Sequence, residues 1–209
     1  MKIKTNKVYR SLVNNEHKII AHQGGTRSGK TYNILLWIIF DYCARNEGKT
    51  ITICRKTFPS LRATVMRDFL DILKTHNIYS EADHNKSNSE YNLKNILVEF
   101  ISLDIPQKVR GRKRQLLYIN EANEIIKEDW NQLIFRTEEQ VILDYNPSDE
   151  YHFIYDDILT RKDCDFYITT YKDNPFLDPK IKTEIERLKE TDETYWQIYG
   201  LGQKGVSKA

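Results

Sequence analysis

Short apolar runs alternate along this chain with longer segments whose apolar residues recur at helical spacing. We predict strands at residues 17–23, 50–55, 115–120, 141–145 and 165–170, and helices at residues 30–46, 61–75, 179–190 and 193–199. Strands that alternate with helices in this way build parallel sheets that are covered on both faces. The pattern therefore predicts an α/β fold with a mostly parallel central sheet flanked by helices.

One stretch departs from this alternation. Residues 91–93 and 96–101 flank Lys94 and Asn95, and this spacing predicts a β-hairpin. The polar run at residues 81–90, just before the hairpin, predicts a surface loop.

The composition is that of a single soluble domain. A length of 209 residues suits one domain with a sizeable core, and the formal net charge is only +2. This charge excludes a uniformly basic surface for nucleic acid, so any contact with DNA must use a local basic patch. The cysteines Cys43, Cys54 and Cys164 lack the spacing of a metal site, which indicates buried thiols in a reducing compartment.

The sequence contains neither the pattern of an export signal nor that of a membrane span. Its basic start is followed by polar Asn14, Asn15 and Glu16, where a signal peptide would be apolar. The most apolar run, residues 34–40, is far shorter than the about 20 residues that a span needs. We therefore expect a buried helix at this run, no membrane partner and a cytoplasmic location.

A phosphate-binding motif follows the first predicted strand. The pattern G-x-x-x-x-G-K-[ST] is matched in full by Gly24, Gly25, Thr26, Arg27, Ser28, Gly29, Lys30 and Thr31. Glycines let the backbone amides surround phosphate oxygens, the lysine reaches the β- and γ-phosphates, and the threonine hydroxyl is a ligand of Mg²⁺. The helix that starts here directs its positive dipole end at the same anion. This strand-motif-helix context favours an ATP and Mg²⁺ site over a chance match.

Three residues near this motif have two interpretations each. Arg27 is either a solvated loop residue or a group that reaches the γ-phosphate in cis. Tyr9 could stack on the adenine and Gln23 could read its edge, but each fits a packing or strand role equally well. The N-K-x-D base-reading motif of GTPases is missing from the sequence, so ATP is the predicted nucleotide.

The strand predicted at residues 115–120 ends in polar groups that suit ATP hydrolysis. Glu121 at its tip is placed to act as general base on the attacking water. Asn120 stands where an aspartate is expected; its carbonyl oxygen still suits the hydration shell of Mg²⁺ but carries no charge. The alternative is a buried strand that ends in an ordinary surface turn, and the upstream phosphate motif favours the catalytic interpretation.

The next predicted strand ends at Asp144-Tyr145-Asn146-Pro147. An amide at the tip of the strand after the catalytic one is well placed to sense the γ-phosphate, which makes Asn146 a candidate sensor. A simple Asn-Pro turn is the alternative, and the sequence leaves both open.

The order of these motifs resembles the large terminase subunits of tailed bacteriophages. The resemblance is carried by the phosphate motif, by Arg55-Lys56-Thr57 with Ser60-Leu61-Arg62, and by Tyr118-Ile119-Asn120-Glu121-Ala122. It continues through Tyr145-Asn146-Pro147, Thr170-Tyr171-Lys172-Asp173-Asn174-Pro175-Phe176 and Tyr199-Gly200-Leu201-Gly202, and so covers nearly the whole chain. The later motifs are specific in their order and spacing rather than individually.

The resemblance implies a P-loop NTPase of the additional-strand, catalytic-glutamate class that hydrolyses ATP to drive double-stranded DNA into a procapsid. It implies a ring of subunits on the capsid portal, with the portal protein and the small terminase subunit as further partners. It also implies that the protein works at the portal in the host cytoplasm, and that Tyr145, Asn146 and Pro147 form a coupling motif.

Two features depart from the family pattern. Family members usually carry an acidic residue where Asn120 stands. They also continue past the glycine-rich end into an RNase H-like nuclease domain, whereas this chain stops at Ala209. We therefore expect residues 1–209 to form a single P-loop ATPase domain that ends in a linker, and we expect no nuclease activity from it.

The densest basic run, residues 108–114, precedes the catalytic strand. It has three interpretations: a solvated loop, a contact to the DNA backbone, or an arginine finger that enters the nucleotide site of a neighbouring subunit. The candidate fingers are Arg110, Arg112 and Arg114. The ring that the resemblance implies favours Arg110, which precedes a glycine.

Two other functions compete with the packaging motor. A helicase-like ATPase should carry a second motor domain with its own arginine motif, for which the chain is too short. A nucleotide-dependent assembly module with weak hydrolysis would suit the uncharged Asn120. Measurement of ATP turnover with and without DNA separates these three functions.

Overall fold

An eight-stranded sheet organises the residues that the computed structural model describes, which are 2–105 and 111–205. The strands are β1 Ile19–Gly24, β2 Thr50–Arg55, β3 His84–Asn85, β4 Glu90–Leu93, β5 Ile96–Ser102, β6 Arg114–Ile119, β7 Thr137–Tyr145 and β8 Cys164–Thr169. Their order across the sheet is β3-β4-β5-β2-β6-β7-β1-β8. Across the sheet, the neighbours in β5-β2-β6-β7-β1-β8 pair in parallel, whereas the neighbours in β3-β4-β5 pair antiparallel. The predicted α/β fold with a mostly parallel sheet is confirmed.

The carboxyl edge of the parallel strands brings separate motifs together. The strand that precedes the phosphate motif, β1, is separated from the strand that precedes Glu121, β6, by β7. This inserted strand is the additional strand of the predicted class. Because parallel strands end at the same edge, the segments that follow β1, β6 and β7 meet there.

Helices cover both faces of the sheet. They are α1 Lys7–Leu12; α2 Lys30–Trp37, continued by a π-helical turn Ile38–Tyr42 and by Cys43–Arg45; α3 Phe58–Leu61, continued by a π-helical turn Arg62–Met66 and by Arg67–Thr75; α4 Lys127–Ile134; α5 Pro179–Thr191; and α6 Glu193–Tyr195, continued by a π-helical turn Trp196–Gly200. Single turns lie at Glu81–Asp83, Ala122–Glu124, Ile154–Ile158 and Tyr171–Asp173. The four predicted helices are confirmed. The sequence does not reveal α1 and α4, because six and eight residues are too few to establish a helical period.

Alternate residues of the central strands face two separate hydrophobic cores. Ile20 and Tyr118 face the core under α1, α2 and α3, whereas Ala21 and Ile119 face the core under α4. Because both faces are covered, these strands are apolar along most of their length, as is typical of parallel sheets. The apolar run at residues 34–40 lies within α2 and is largely buried, as predicted. None of the helices in the described ranges has the length and apolar character that crossing a membrane would require.

The hairpin between β4 and β5 is confirmed, and its turn explains why it forms. Lys94 and Asn95 have φ of 49° and 63°, as the two central residues of a type I′ turn require. The loop predicted at residues 81–90 is only partly correct, because His84–Asn85 pairs with β4 as a short edge strand. A two-residue strand at the edge of a sheet needs no apolar alternation, so the sequence carries no signal for it.

Candidate functional site

The phosphate motif forms a loop between β1 and α2 that two neighbouring segments hold in place. The amide of Gly25 donates to the carbonyl oxygen of Thr169 at 3.0 Å, and the amide of Thr26 donates to that of Tyr199 at 2.9 Å. A Cβ atom on Gly25 would lie 2.2 Å from the Tyr199 carbonyl oxygen. Glycine at this position is therefore required by the packing of the C-terminal segment as well as by the approach of a phosphate.

Asn6, just before α1, supports the loop from behind. Its Nδ2 donates to the Ser28 carbonyl oxygen at 3.1 Å, and its backbone amide donates to Asn33 Oδ1 at 2.9 Å. Asn33 Nδ2 in turn donates to the Gly29 carbonyl oxygen at 2.9 Å. The sequence does not point to Asn6 or Asn33, because single asparagines outside a motif carry no signal of such a contact.

Lys30 is buried and connects the loop to the end of β7. Its Nζ donates to the Gly25 carbonyl oxygen at 3.0 Å, to Ser28 Oγ at 3.2 Å and to Asn146 Oδ1 at 3.1 Å. Burial lowers the pKa of Lys30, while the negative charges of Asp144 and Glu121 act to raise it. A buried ammonium group with three neutral acceptors is suited to a strongly anionic ligand.

A cleft of about 320 Å³ opens over the loop. The loop residues from Gly25 onward line it together with Asp68, Glu121, Asn146 and Asn174, so residues from five separate parts of the sequence face one space. Arg27 is exposed at this cleft, and its carbonyl oxygen accepts a hydrogen bond from Asn174 Nδ2 at 2.9 Å. The structure thus brings together the predicted loop, the predicted base and the predicted sensor.

Asp144, the penultimate residue of β7, is a buried carboxylate at the floor of this region. Its Oδ2 accepts from the Thr31 hydroxyl at 3.2 Å and from the Tyr118 hydroxyl. Its Oδ1 accepts from Asn120 Nδ2 at 3.2 Å and from the Glu121 amide at 2.8 Å. The sequence contains a signal for such a residue, because an aspartate in an otherwise apolar buried strand is rare unless it has partners.

Asn120 is also buried, and only one end of its amide has a partner. Its Nδ2 donates to Asp144 and lies 3.3 Å from the Thr31 hydroxyl oxygen. Its Oδ1 is buried and has no hydrogen-bond partner among the described residues. A buried amide oxygen without a partner is costly, which indicates a site for a ligand or an ordered water.

Glu121 has a left-handed backbone conformation just before the turn Ala122–Glu124, and its side chain lines the cleft. Its φ and ψ are 53° and 56°, a conformation that few residues other than glycine adopt and that is common at functional sites. Burial raises the pKa of Glu121 to about 7, and the Asp144 charge adds to this rise, while Lys30 and Arg55 oppose it. A carboxyl group with a pKa near neutral pH can accept a proton and release it again.

Glu124, a neighbouring carboxylate that could replace Glu121 as base, is already paired. Its Oε1 lies 3.0 Å from Arg55 Nη2, and its Oε2 accepts from Arg55 Nε at 3.2 Å. Such a two-point ion pair fixes the carboxylate on the arginine. This geometry favours Glu121 over Glu124.

Gln23 and Tyr145 lie buried behind the loop. The Tyr145 hydroxyl donates to Gln23 Oε1 at 3.0 Å, and Gln23 Nε2 donates to the Gly202 carbonyl oxygen at 2.8 Å. Both ends of the Gln23 amide are thus engaged, and neither side chain lines the cleft over the loop. No contact supports the adenine-reading role of Gln23. Tyr9 packs against the core under α1, α2 and α3.

The basic run divides into residues with different environments. Arg110 lies outside the described residues. Arg112 is exposed and lies 3.7 Å from Glu90. Arg114 is fully buried in β6, where its Nε donates to Thr52 Oγ1 at 2.7 Å. The option that Arg114 is a finger is therefore wrong, because no neighbouring subunit can reach its guanidinium group.

Structures of similar fold come from the large terminases of bacteriophages. The large terminase of a thermophilic bacteriophage has a TM-score of 0.84 and 16% identity, covering 99% of this chain and 55% of that one. The same terminase in complex with ADP gives 0.79 and 17%, covering 98% and 54%. The large terminase ATPase domain of Thermus phage P74-26 gives 0.72 and 14%, covering 96% and 94%. The chain thus spans about half the length of the first of these terminases. The TM-scores establish a common fold despite the low sequence identities.

Sequence comparison places the chain in a family. A comparison with curated proteins gave no significant match. The family model of the phage terminase large subunit, however, matches residues 15–203, which is most of the chain. The resemblance seen in the motifs is confirmed: this chain belongs to the phage terminase large subunit family.

Proposed function

We propose that this chain is the ATP-hydrolysing motor domain of a terminase large subunit, which drives double-stranded DNA into a procapsid. The observation that carries the proposal is the meeting of Lys30, Glu121 and Asn146 in one cleft at the carboxyl edge of the sheet. The terminase of the thermophilic bacteriophage, which shares this fold, has been solved with ADP bound. A cleft with a lysine, a carboxylate and an amide matches what ATP hydrolysis requires.

The phosphates bind at the loop formed by Gly24, Gly25, Thr26, Arg27, Ser28, Gly29, Lys30 and Thr31. Lys30 exchanges its neutral acceptors for phosphate oxygens, with which it forms stronger, charge-assisted hydrogen bonds. The backbone amides of the loop and the amino end of α2 add their dipoles to this attraction. Arg27 is exposed at the cleft, and we propose that it reaches the γ-phosphate in cis.

Glu121 acts as the general base. The oxygen of a water molecule attacks the γ-phosphorus while one of its protons moves to the Glu121 carboxylate, and the bond between the γ-phosphorus and the bridging oxygen breaks to leave ADP. The pKa of about 7 allows Glu121 to be ionised before the attack and to hold the proton afterwards. The hydrogen bond from its amide to Asp144 fixes the turn that carries it.

The residues around Thr31 fit a Mg²⁺ ion. Mg²⁺ takes oxygen ligands, keeps part of its water shell and is usually bound by one or two protein groups together with phosphates. The Thr31 hydroxyl and the unpartnered Oδ1 of Asn120 are oxygens of this kind, and they lie beside the buried Asp144. When bound, Mg²⁺ neutralises charge on the β- and γ-phosphates.

Asn146 and Tyr145 connect the nucleotide to the rest of the domain. Asn146 contacts Lys30, so a change in the phosphates alters its position at the end of β7. The adjacent Tyr145 binds Gln23, which binds the Gly202 backbone near the end of the described chain. We infer that these hydrogen bonds transmit the conformational change that accompanies hydrolysis to the C-terminal segment around Gly202.

The partners follow from the motor role. We propose that residues 1–209 form one ATPase domain that assembles as a ring on the portal protein in the host cytoplasm. The small terminase subunit and double-stranded DNA are its other partners. Arg110 is our candidate for a finger that acts on the neighbouring subunit, with a DNA-backbone contact by residues 108–114 as the alternative.

The test is ATP turnover by the purified chain with and without double-stranded DNA, with portal added in a parallel series. A packaging motor should hydrolyse ATP slowly alone and faster when DNA and portal are present. An assembly module, which the uncharged Asn120 would suit, should bind ATP without turnover under every condition. Either no nucleotide binding or binding without turnover would overturn the proposal.

A further inference from the structure

We propose that Asp144 supplies the negative charge of the Mg²⁺ site, so that the acidic group has moved from the end of β6 to the end of β7. P-loop NTPases hold Mg²⁺ with the loop Ser or Thr and with an aspartate near a strand end. Here β6 ends in the neutral Asn120, which leaves the acidic group to be found elsewhere. This inference rests on the proposed function, since it concerns the metal that accompanies ATP.

The contact between Asp144 and Thr31 is the first observation. The Thr31 hydroxyl is the loop group that binds Mg²⁺ in this class, and it lies 3.2 Å from Asp144 Oδ2. The two residues are 113 positions apart, and only the order β6-β7-β1 brings them together. An aspartate that receives a hydrogen bond from the metal-binding hydroxyl is in position to bind the water shell of the same ion.

The burial of Asp144 is the second observation. Its carboxylate is 1% exposed and accepts only from hydroxyl and amide donors: Thr31, Tyr118, Asn120 and the Glu121 backbone. No ion pair of Asp144 occurs within residues 2–105 and 111–205. Lys30 and Arg55 act on this carboxylate only from beyond ion-pair distance, and a buried carboxylate without a directly bound cation is costly. A divalent ion beside Thr31 would balance this charge.

Asn120 is the third observation, because it complements Asp144. Its Nδ2 lies 3.2 Å and 3.3 Å from the two Asp144 oxygens, a place where a second carboxylate would meet strong repulsion. With Nδ2 donating to Asp144, Oδ1 is left as the buried oxygen without a partner. The amide therefore orients the carboxylate and offers one oxygen to the hydrated ion. Asn120 and Asp144 form a pair of one neutral and one acidic side chain, in which the acidic group lies on β7 rather than at the end of β6.

The experiment measures the affinity for ADP in MgCl₂ and in EDTA, together with the binding of Mn²⁺ in the presence of ADP by electron paramagnetic resonance. In Asp144→Asn, ADP affinity in EDTA should stay within about threefold of wild type. Most of the increase in ADP affinity that MgCl₂ causes, here called the Mg²⁺ gain, should be lost, and so should the signal of bound Mn²⁺. The matched control is Glu138→Gln, an exposed carboxylate on the same strand at its opposite end, which should keep the full gain.

The exchanged variant Asn120→Asp/Asp144→Asn retains one carboxylate and one amide, and it provides the test if Asp144→Asn does not fold. It should recover at least part of the Mg²⁺ gain. An equal Mg²⁺ gain in wild type and Asp144→Asn, or a folded exchanged variant without any gain, would overturn the inference and leave the proposed function standing. A wild-type chain that binds ADP in neither MgCl₂ nor EDTA would overturn both.

Discussion

The backbone amide of Glu121 donates a 2.8 Å hydrogen bond to the side-chain carboxylate of Asp144 on the neighbouring strand. This contact joins the proposed base to the buried acid and holds Glu121 in its left-handed conformation. Such a conformation costs about 1–2 kcal/mol for a residue with a side chain, and the surrounding contacts must compensate for it. The backbone conformation of Glu121 is therefore maintained from strand β7.

Lys30→Ala should abolish ATP hydrolysis and weaken ATP binding by about tenfold or more, because the phosphates lose their charged partner. Turnover and fluorescent-nucleotide titration measure the two effects. Lys49→Ala is the control, since Lys49 pairs with Glu139 on the surface away from the cleft. Unchanged turnover in Lys30→Ala would refute the assignment of the phosphate site.

Glu121→Gln should bind ATP normally while its turnover falls by about 10² or more, because the amide keeps the shape but cannot take the proton. Glu124→Gln is the matched variant and should keep most of its turnover, since Glu124 is paired with Arg55. Single-turnover hydrolysis of bound ATP separates binding from chemistry. The reverse result, with Glu124→Gln inactive and Glu121→Gln active, would move the base to Glu124.

Arg110→Ala should leave the affinity of the isolated chain for ATP unchanged and lower turnover in assembled motors. Mixing it with Glu121→Gln subunits should partly restore activity, where an intact arginine faces an intact site. A DNA contact instead predicts near-normal ATPase, weaker DNA binding and a salt dependence shallower by about one unit. Arg112→Ala tests the second exposed candidate, and normal values for Arg110→Ala in both assays would reduce Arg110 to a solvated residue.

Arg114→Met should lower the free energy of unfolding by about 3 kcal/mol, because it leaves a buried acidic network without its cation. Arg114 Nε donates to Thr52 Oγ1 at 2.7 Å, which donates to the buried Glu99 at 2.6 Å. Adding Glu99→Gln should recover part of the loss, as measured by urea unfolding of both variants. Arg112→Met should change stability by less than about 0.5 kcal/mol, and equal effects of the two arginine substitutions would contradict this account.

His22→Gln should change how stability depends on pH. Burial, with a contribution from Lys30, lowers the pKa of His22 to about 3, so between about pH 6.5 and pH 4.5 only the unfolded state binds the proton. Stability from His22 is therefore lost as pH falls, by about 1.4 kcal/mol per unit. Glu121, whose pKa is raised to about 7, has the opposite effect in the same range, since its folded form gains a proton.

The contribution of Glu121 to the pH dependence of stability is common to wild type and His22→Gln, so it cancels when the two are compared. Urea unfolding at several pH values should show the wild type losing about 2 kcal/mol relative to the variant between pH 6.5 and pH 4.5. Parallel curves would mean that His22 titrates normally in the folded protein.

The sequence by itself determined what depends on neighbouring residues. The phosphate loop needs only its eight consecutive residues between a strand and a helix, so Lys30 and Thr31 could be predicted. The same holds for the hairpin turn at Lys94 and Asn95, whose conformations are local. Repeated apolar runs were enough to predict the α/β fold, because burial on both faces of a sheet requires them.

Only the tertiary structure decided which distant residues meet and which charged side chains are buried. Strand order brings Asp144 to Thr31, and this order is set by packing over the whole sheet rather than by either segment. Likewise Arg112 is exposed while Arg114 is buried two positions later, because the ladder with β7 begins at Arg114. A sequence lists the charged residues, but their partners and their access to water depend on contacts between segments that are far apart along the chain.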